Sequence, residues 1–360
     1  LSIRRQRQMC IRDRGYTEKV WGKSPKNLSA DWGSQRIKGI SIGAVLKDFF
    51  QRALHLQQKK VETSLIERFS YPKYGPGEFY ECLRDEVLGL GGEIRMNADT
   101  IGFTGGEDKN ITAVLYRDGK GKTQKVKADY VLSSMAVKDL AAALPEGWLD
   151  EKDKETAQTL PYRDFMTAGL LVDRLELQNH THHRTLNNIV PDCWIYIQEP
   201  EVKIGRLQIF NNWSPYMVKD SLHTVWIGLE YFCQEGDDLW SMKDEDFLRF
   251  AEQELVKIHV LRKGAVKEGH VVHMKKAYPA YYGSYKDFPR LQQSLDTISN
   301  LYCIGRNGQH RYNNMDHSML TAIRAVELIQ NQSTDKSSLW NVNTESDYQE
   351  IKEEDRNSEK

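Results

Sequence analysis

The feature that most constrains the fold is a short apolar strand that leads through a polar turn into an amphipathic helix. Residues 300–304 are the predicted strand, and Gly305 follows them. Asn313, Asn314 or Asp316 can cap the helix that follows. Since helix N–H groups and the helix dipole attract negative charge, this stretch predicts a site for a phosphate or another anion. The apolar residues of the helix recur at spacings of three and four: Met315, Met319, Ile323, Val326 and Ile329.

The same stretch carries a resemblance to a known group of enzymes. Its elements are Gly305-Arg306 and then His310-Arg311-Tyr312-Asn313-Asn314-Met315-Asp316. They resemble the C-terminal flavin motif of the amine oxidase and protoporphyrinogen oxidase superfamily of FAD-dependent oxidoreductases. They are also similar to the Gly-Arg and Tyr-x-Asp-Met elements of UDP-galactopyranose mutases, but Asn314 stands at the aspartate position, which favours the oxidoreductases. Landmarks similar to those of uncharacterised FAD-dependent oxidoreductases lie at residues 16–22, 31–32, 35–39, 71–77 and 276–279.

The resemblance implies a cofactor and a reaction. The cofactor is FAD, and a hydride passes from a small organic substrate, such as an amine, to flavin N5. The alternative that it implies is a mutase-like isomerase, in which reduced flavin acts on a sugar nucleotide without net redox change. In both cases the positive start of the helix would stabilise the negative charge that reduced flavin carries at N1 and the C2 carbonyl.

Candidate site residues come from this motif and its neighbours. The resemblance implies catalytic roles for four residues: Arg306, Tyr312, Lys276 and His317. Lys275 is an alternative to Lys276 for the place beside flavin N5. His317 can equally be a structural histidine. The candidate cofactor-binding residues are Gly305, Arg306, Asn313, Asn314, Met315, Asp316 and Ser318. The candidate substrate-binding residues are two cations before the helix and two tyrosines after a predicted strand: Arg311, His310, Tyr281 and Tyr282.

One element that the superfamily carries is missing from this sequence. Its members open with a strand, a Gly-x-Gly-x-x-Gly turn and a later acidic residue, which hold the FAD pyrophosphate and ribose. Residues 102–106 fail that spacing and predict a hairpin turn instead. The resemblance therefore implies a fragment that lacks the N-terminal dinucleotide-binding half. Residues 1–14, with five arginines against one aspartate, resemble translated sequencing-adaptor sequence more than a nucleic-acid-binding arm.

Composition excludes several other classes. The formal net charge is −1 and becomes about −5 without residues 1–14, so no basic domain suggests nucleic acid. No apolar run reaches the roughly 18–20 residues of a membrane span. The five cysteines form no Cys-x-x-Cys pair, and no secretion signal is evident, so we expect a cytoplasmic protein. Residues 180–183 hold three histidines without further zinc-like ligand spacing, so we expect no metal site. The oligomeric state stays open.

The predicted fold class is α/β with an α+β substrate domain, in which an antiparallel sheet is inserted into a partial Rossmann-like FAD-binding domain that lacks its N-terminal βαβ unit. Predicted helices lie at residues 78–90 and 247–261, and a predicted strand begins at residues 93–96. Predicted antiparallel strands lie at residues 166–172, 194–198, 206–210 and 225–232. The expected segments are an artefactual stretch (1–14), a helical and loop part of the substrate region (15–70), two parts of the FAD-binding domain (71–150 and 276–331), the antiparallel sheet of the substrate domain (151–275) and a polar, mostly disordered tail (332–360). Within this tail, Trp340 can dock as an anchor.

Overall fold

A computed structural model describes residues 15–23 and 70–342. The expectations for residues 1–14, the landmarks at 31–39 and the end of the polar tail lie outside these described residues. Contacts divide the chain into two compact units. The first unit holds residues 15–23, Ser70–Met96 and Tyr162–Ala280, and the second holds Asn97–Pro161 and residues 281–342.

Helices and strands both contribute to the described residues. The helices are α1 (15–21), α2 (Pro76–Gly89), α3 (Val137–Ala143), α4 (Glu151–Thr159), α5 (Phe210–Trp213), α6 (Asp244–Lys257), α7 (Phe288–Asp296), α8 (Gly305–Gly308), α9 (Met315–Gln330) and α10 (Ser337–Trp340). The strands are β1 (Asp99–Gly105), β2 (Ile111–Arg117), β3 (Thr123–Lys127), β4 (Val131–Ser133), β5 (Tyr162–Val172), β6 (Trp194–Tyr196), β7 (Arg206–Ile209), β8 (Val225–Cys233), β9 (Val266–Pro279) and β10 (Leu301–Cys303).

The first unit is built on a five-stranded sheet in the order β6-β7-β8-β5-β9, and every pairing in it is antiparallel. This confirms the antiparallel sheet that the sequence predicted. One face packs against α6, where the fully buried Tyr231 meets Phe247 edge to face with ring centroids 4.9 Å apart. Alternate residues of β5, from Met166 to Val172, are buried on this face. Burying such apolar surface at roughly 25 cal/mol per Å² stabilises the unit.

The other face of this sheet carries a buried ion pair. Arg206 on β7 lies directly opposite Glu230 on β8, and each side chain is almost fully buried. Gln208 donates to the Glu230 carboxylate at 2.6 Å, and Arg206 donates to the Tyr278 hydroxyl at 2.6 Å. Burial raises the pKa of Glu230, although Arg206 acts against that shift. Burying such a pair costs desolvation free energy. Removing either side chain would leave the charge of the other buried and unpaired.

Helix α2 departs from an ordinary core helix. The sequence places Phe79, Leu83 and Val87 on one face, yet all three are exposed and α2 buries none of its residues.

The strand predicted at residues 93–96 is wrong, because the chain turns at Asn97, where φ is +54°, and β1 starts only afterwards. A left-handed residue at that point interrupts extended backbone.

The second unit contains a three-stranded sheet, β1-β2-β3, and a separate pair of parallel strands, β4 and β10. The hairpin turn predicted at residues 102–106 is wrong, because β1 continues through Gly105 and the turn to β2 comes only after it. A Cβ at Gly105 would lie 2.3 Å from the Asn110 carbonyl oxygen, so only glycine fits there.

Trp340 is buried, which confirms that it docks as an anchor. Every helix in the described ranges is too short or too polar to cross a lipid bilayer.

Asn300 joins the parallel pair to the hairpin sheet. Its side-chain oxygen accepts the Ile111 N–H at 2.9 Å, and its amide nitrogen donates to the carbonyls of Ile111 at 2.7 Å and Asp129 at 2.8 Å. Asn300 is 4% exposed, so water does not replace these partners. One amide, on the residue before β10, thus satisfies backbone groups before β4 and at the start of β2.

Asn300 provides a test of this packing. Asn300→Ala leaves one N–H and two carbonyls unsatisfied, so we expect the free energy of unfolding to fall by about 1–3 kcal/mol. Asn300→Asp keeps the shape but turns the donating nitrogen into an acceptor beside two carbonyl oxygens. Its carboxyl pKa should therefore rise in the folded state, and the destabilisation should shrink as the pH falls through that pKa. Urea unfolding of both variants near pH 5 and near pH 8 measures this, and an Asn300→Asp stability that is independent of pH would contradict it.

Candidate functional site

The candidate site lies at the carboxyl ends of two adjacent parallel strands in the second unit. β10 pairs in register with β4, with Leu301 opposite Val131 and Cys303 opposite Ser133. The Ile304 N–H donates to the Ser133 carbonyl at 2.9 Å and closes the pair at this end. Because both strands end at the same edge, the turns that follow them meet there. Open sheets of parallel strands bind ligands at this kind of edge.

Two glycines allow the turn after β10 to approach the end of β4 closely. Gly305 has φ +71°, in the left-handed region that favours glycine. At Gly308, a Cβ would lie only 2.5 Å from the Ser133 carbonyl oxygen. Backbone therefore packs directly against backbone at this edge. The sequence predicted a role for Gly305, but it gave no sign of the constraint on Gly308.

Helix α9 begins beside this turn without a capping side chain. Asn314 is its N-cap residue, with extended backbone, and its side chain makes no cap hydrogen bond. Asn314 and Met315 are exposed. The Thr321 hydroxyl, one and a half turns into the helix, accepts the Gly305 N–H at 2.8 Å and fixes α9 to the strand end. The start of α9 is therefore fixed in place by Thr321, while the side chain of its N-cap residue, Asn314, caps none of the first backbone N–H groups.

Asp316 and His317 form a pair in the first turn of α9. Asp316 Oδ1 lies 3.2 Å from His317 Nδ1. The hydrogen bond to the His317 side chain lowers the pKa of Asp316, and backbone N–H groups of the same turn act in the same direction. Asp316 is thus a carboxylate at neutral pH and itself contacts the positive end of the helix. Ser318, the next residue, donates its hydroxyl to the Asn314 carbonyl at 2.8 Å.

Arg306 and Tyr312 lie together in the motif. The Arg306 guanidinium carbon is 4.8 Å from the centroid of the Tyr312 ring, a cation–π contact. Arg306 Nε donates to the Asn313 carbonyl at 2.8 Å. The Tyr312 N–H donates to the hydroxyl of Tyr281, which is almost fully buried. Tyr281 therefore supports the backbone of the motif, and its expected contact with substrate stays a prediction.

His310 and Arg311 have structural partners inside the second unit. His310 is 1% exposed, and its ring packs beside those of Tyr285 and Phe288, with centroids 5.9 Å and 5.7 Å away. Arg311 Nη1 donates to the carbonyls of Trp340 at 2.7 Å and Val342 at 3.1 Å. Both side chains thus hold the loop in place. Their roles in substrate binding stay predictions.

Lys276 belongs to the first unit and sits on a bulge of β9. Three residues of β9, 275–277, lie opposite the single residue Asp164 of β5. Lys276 has φ +53°, which is unusual for a residue with a side chain, and its N–H donates to Asp164 Oδ1 at 2.6 Å. The neighbouring Lys275 pairs with Glu235 on the surface. Bulges redirect side chains and occur often beside functional sites, but the catalytic role of Lys276 stays a prediction.

The structure therefore groups most of the predicted motif residues at one edge of the second unit. Tyr282, which is half-buried, precedes the short 3-10 helix Gly283–Asp287 in the same unit. The sequence analysis missed three residues that shape this edge; the available signals were a second glycine in the turn and a glutamine in a polar stretch. The missed residues are Gly308, Gln309 and Thr321. In the described part of the chain, no group of three or more metal-ligating side chains occurs.

Chemically, this edge suits a ligand that carries or develops negative charge. It offers N–H groups at the start of a 16-residue helix, the Arg306 guanidinium and an aromatic ring on Tyr312. The close backbone packing at Gly308 brings the ends of both strands to one place. These residues fit the isoalloxazine of a flavin, which is planar and becomes anionic on reduction. A phosphate would meet the same N–H groups.

Comparison with known proteins extends this picture. No protein-family model and no curated protein sequence matches the chain. The fold is similar to that of a reduced UDP-galactopyranose mutase, with a TM-score of 0.69 and 17% identity over 94% of this chain and 68% of that one. A proposed protoporphyrinogen oxidase from Exiguobacterium sp. 255-15 gives a TM-score of 0.49 and 18% identity over 71% of this chain and 51% of that one. The mutase likeness shows a shared fold, and the chain spans only part of the length of both proteins.

Proposed function

We propose that this chain is part of a flavin-dependent oxidoreductase that binds FAD and oxidises a small organic substrate. The observation that carries the proposal is the start of α9. Its N-cap residue, Asn314, makes no side-chain cap, and the helix begins where two parallel strands end. The mutase-like fold and the flavin motif of residues 305–316 support the same cofactor.

The residues of the site have distinct parts in this proposal. The N–H of Met315 and the end of the helix dipole would stabilise negative charge on the flavin. Gly305 and Gly308 would hold the two strand ends together beside the cofactor. Arg306, held over Tyr312, would orient an anionic or polar substrate group. When bound, FAD would supply the two-electron acceptor that takes a hydride from the substrate.

Asp316 and His317 set the charge balance at this site. Because Asp316 is ionised and already contacts the first turn, it competes with a negative ligand for those N–H groups. His317 lies against that carboxylate and can share or carry a proton. We infer that this pair tunes the potential of the bound cofactor more than it contacts substrate.

A second candidate function is a flavin-dependent isomerase acting on a sugar nucleotide. The observation that favours it is the TM-score of 0.69 with a UDP-galactopyranose mutase. Asn314 at the aspartate position of the mutase motif argues against it. The two functions differ in net redox change, so one experiment separates them.

Met315→Pro tests the contact between α9 and flavin. Proline is well tolerated at the first position of a helix, and the extended backbone of Asn314 suits a following proline, so α9 should form without the Met315 N–H. If that N–H faces reduced flavin, the Kd for dithionite-reduced FAD should rise about tenfold and the Kd for oxidised FAD should change little. The midpoint potential of bound FAD should fall by roughly 30 mV.

Met315→Ala is the matched control, because it removes the same side chain and keeps the N–H. Its Kd values should stay close to those of the unaltered protein. Anaerobic titration of each protein with FAD, followed by flavin fluorescence, gives these constants. Equal ratios of oxidised to reduced Kd in the two variants would rule out the contact. Absence of FAD binding by the unaltered protein in either redox state would overturn the proposed function itself.

Anaerobic mixing with substrates distinguishes the two functions. An oxidoreductase should lose the absorbance of oxidised flavin when an amine or another reducing substrate is added, and Arg306→Ala should raise the substrate concentration for half-maximal reduction by about tenfold or more. An isomerase should convert UDP-galactopyranose only after the flavin has been reduced beforehand, without reoxidising it. Turnover of that sugar nucleotide without flavin reduction by any amine would favour the second candidate.

A further inference from the structure

The C-terminal segment of residues 336–342, called here the strap, is bound tightly to the second unit. Lys336, which is 4% exposed, donates its ammonium group to the carbonyls of Ile298 at 2.7 Å and Leu301 at 2.8 Å. Burial lowers the pKa of Lys336, but these carbonyls, at the amino end of β10, supply partners for its protons. The base of the strap is therefore tied to the same strand that leads into the candidate site.

The strap also has a second anchor on the body of the unit. Trp340 Nε1 donates to Asp296 Oδ1 at 2.9 Å, and the ring is buried. Leu339 beside it is fully buried and packs with Tyr302 of β10. These contacts hold the strap as part of the core and give its backbone carbonyls fixed positions.

Those fixed carbonyls bind the loop before α9 through two side chains. Gln309 Nε2 donates to the Leu339 carbonyl at 2.8 Å, and Arg311 Nη1 donates to the Trp340 carbonyl at 2.7 Å. Gln309 Oε1 in turn accepts from Asn313 Nδ2 at 3.2 Å, one residue before the N-cap Asn314. A continuous chain of hydrogen bonds thus leads from the strap to the start of α9. Gln309 and Asn313 are both almost fully buried, so water does not substitute for these bonds.

From this geometry we infer that the strap positions the start of α9 for its ligand, and that Gln309 and Arg311 are the positioning residues. Neither side chain needs to touch the ligand. Their effect is to fix the direction of the first N–H groups of α9, because Asn313 is held by Gln309 through its side chain and by Arg306 through its carbonyl. Preorganised N–H groups bind an anion without paying reorganisation cost. The ligand part of this inference rests on the proposed flavin function.

Gln309→Met tests the inference, because methionine is close to glutamine in length and volume and makes none of its three side-chain hydrogen bonds. Gln309 donates to the carbonyls of Leu339 and Cys303 and accepts from Asn313. Asn300→Ala is the matched control. It also removes a buried amide with three hydrogen bonds, but at the opposite end of β10 and away from the loop. Arg311→Lys is the milder second variant, since it keeps the charge and loses the guanidinium geometry.

Two measurements on each full-length protein decide the outcome. In ligand-free protein, hydrogen exchange of the amides of residues 310–316 should quicken about tenfold in Gln309→Met and less in Arg311→Lys, and should stay within about twofold of the unaltered rate in Asn300→Ala. The Kd for reduced FAD should rise about tenfold in Gln309→Met and hold nearly constant in Asn300→Ala.

Equal exchange rates for Gln309→Met and Asn300→Ala at residues 310–316 would overturn the strap inference. If Gln309→Met does not fold, the comparison of Arg311→Lys with Asn300→Ala takes its place. If the unaltered protein binds no FAD, the flavin function fails, while the exchange rates still decide whether the strap positions the loop.

Discussion

The parallel pairing of β4 with β10 is the contact on which the candidate site depends. Only three residue pairs form it, from Leu301 opposite Val131 to Cys303 opposite Ser133. So short a pair needs support at both ends. At its amino end Asn300 satisfies three backbone groups, and at its carboxyl end the turn at Gly308 rests against Ser133. Loss of the support at Gly308 would separate the two turns that must meet to form the site.

The site contains both positive and negative groups. The backbone supplies a positive helix end that the N-cap residue Asn314 does not cap, and Arg306 adds a cation on the ring of Tyr312. Against these, the ionised Asp316 places a negative charge in the first turn, in contact with His317. A ligand that becomes anionic only during its reaction suits this balance better than a permanently charged phosphate. A developing charge would gain the full interaction at the moment it forms.

Local sequence patterns predicted the strand, turn and helix of residues 300–330 closely, because spacing along the chain fixes such elements. They predicted the antiparallel sheet for the same reason. They could not predict that Arg311 and Gln309 bind the strap, since their partners Trp340 and Leu339 lie about thirty residues further along. The bulge at Lys276 could not be predicted either, because it depends on the carboxylate of Asp164, more than a hundred residues away. The strand wrongly predicted to begin at residues 93–96 shows the reverse case, where one left-handed residue, Asn97, overrides a strand-like pattern.

Hydrogen exchange of the protein with and without FAD, under reducing and oxidising conditions, tests the central claim most directly. The claim is that flavin binds where β4 and β10 end and α9 begins. FAD binding at this place should slow the hydrogen exchange of the amides of residues 305–318 and 134–136. Residues 315–317 should be protected more strongly when the flavin is reduced. Protection confined to other parts of the chain, or none in either redox state, would contradict it.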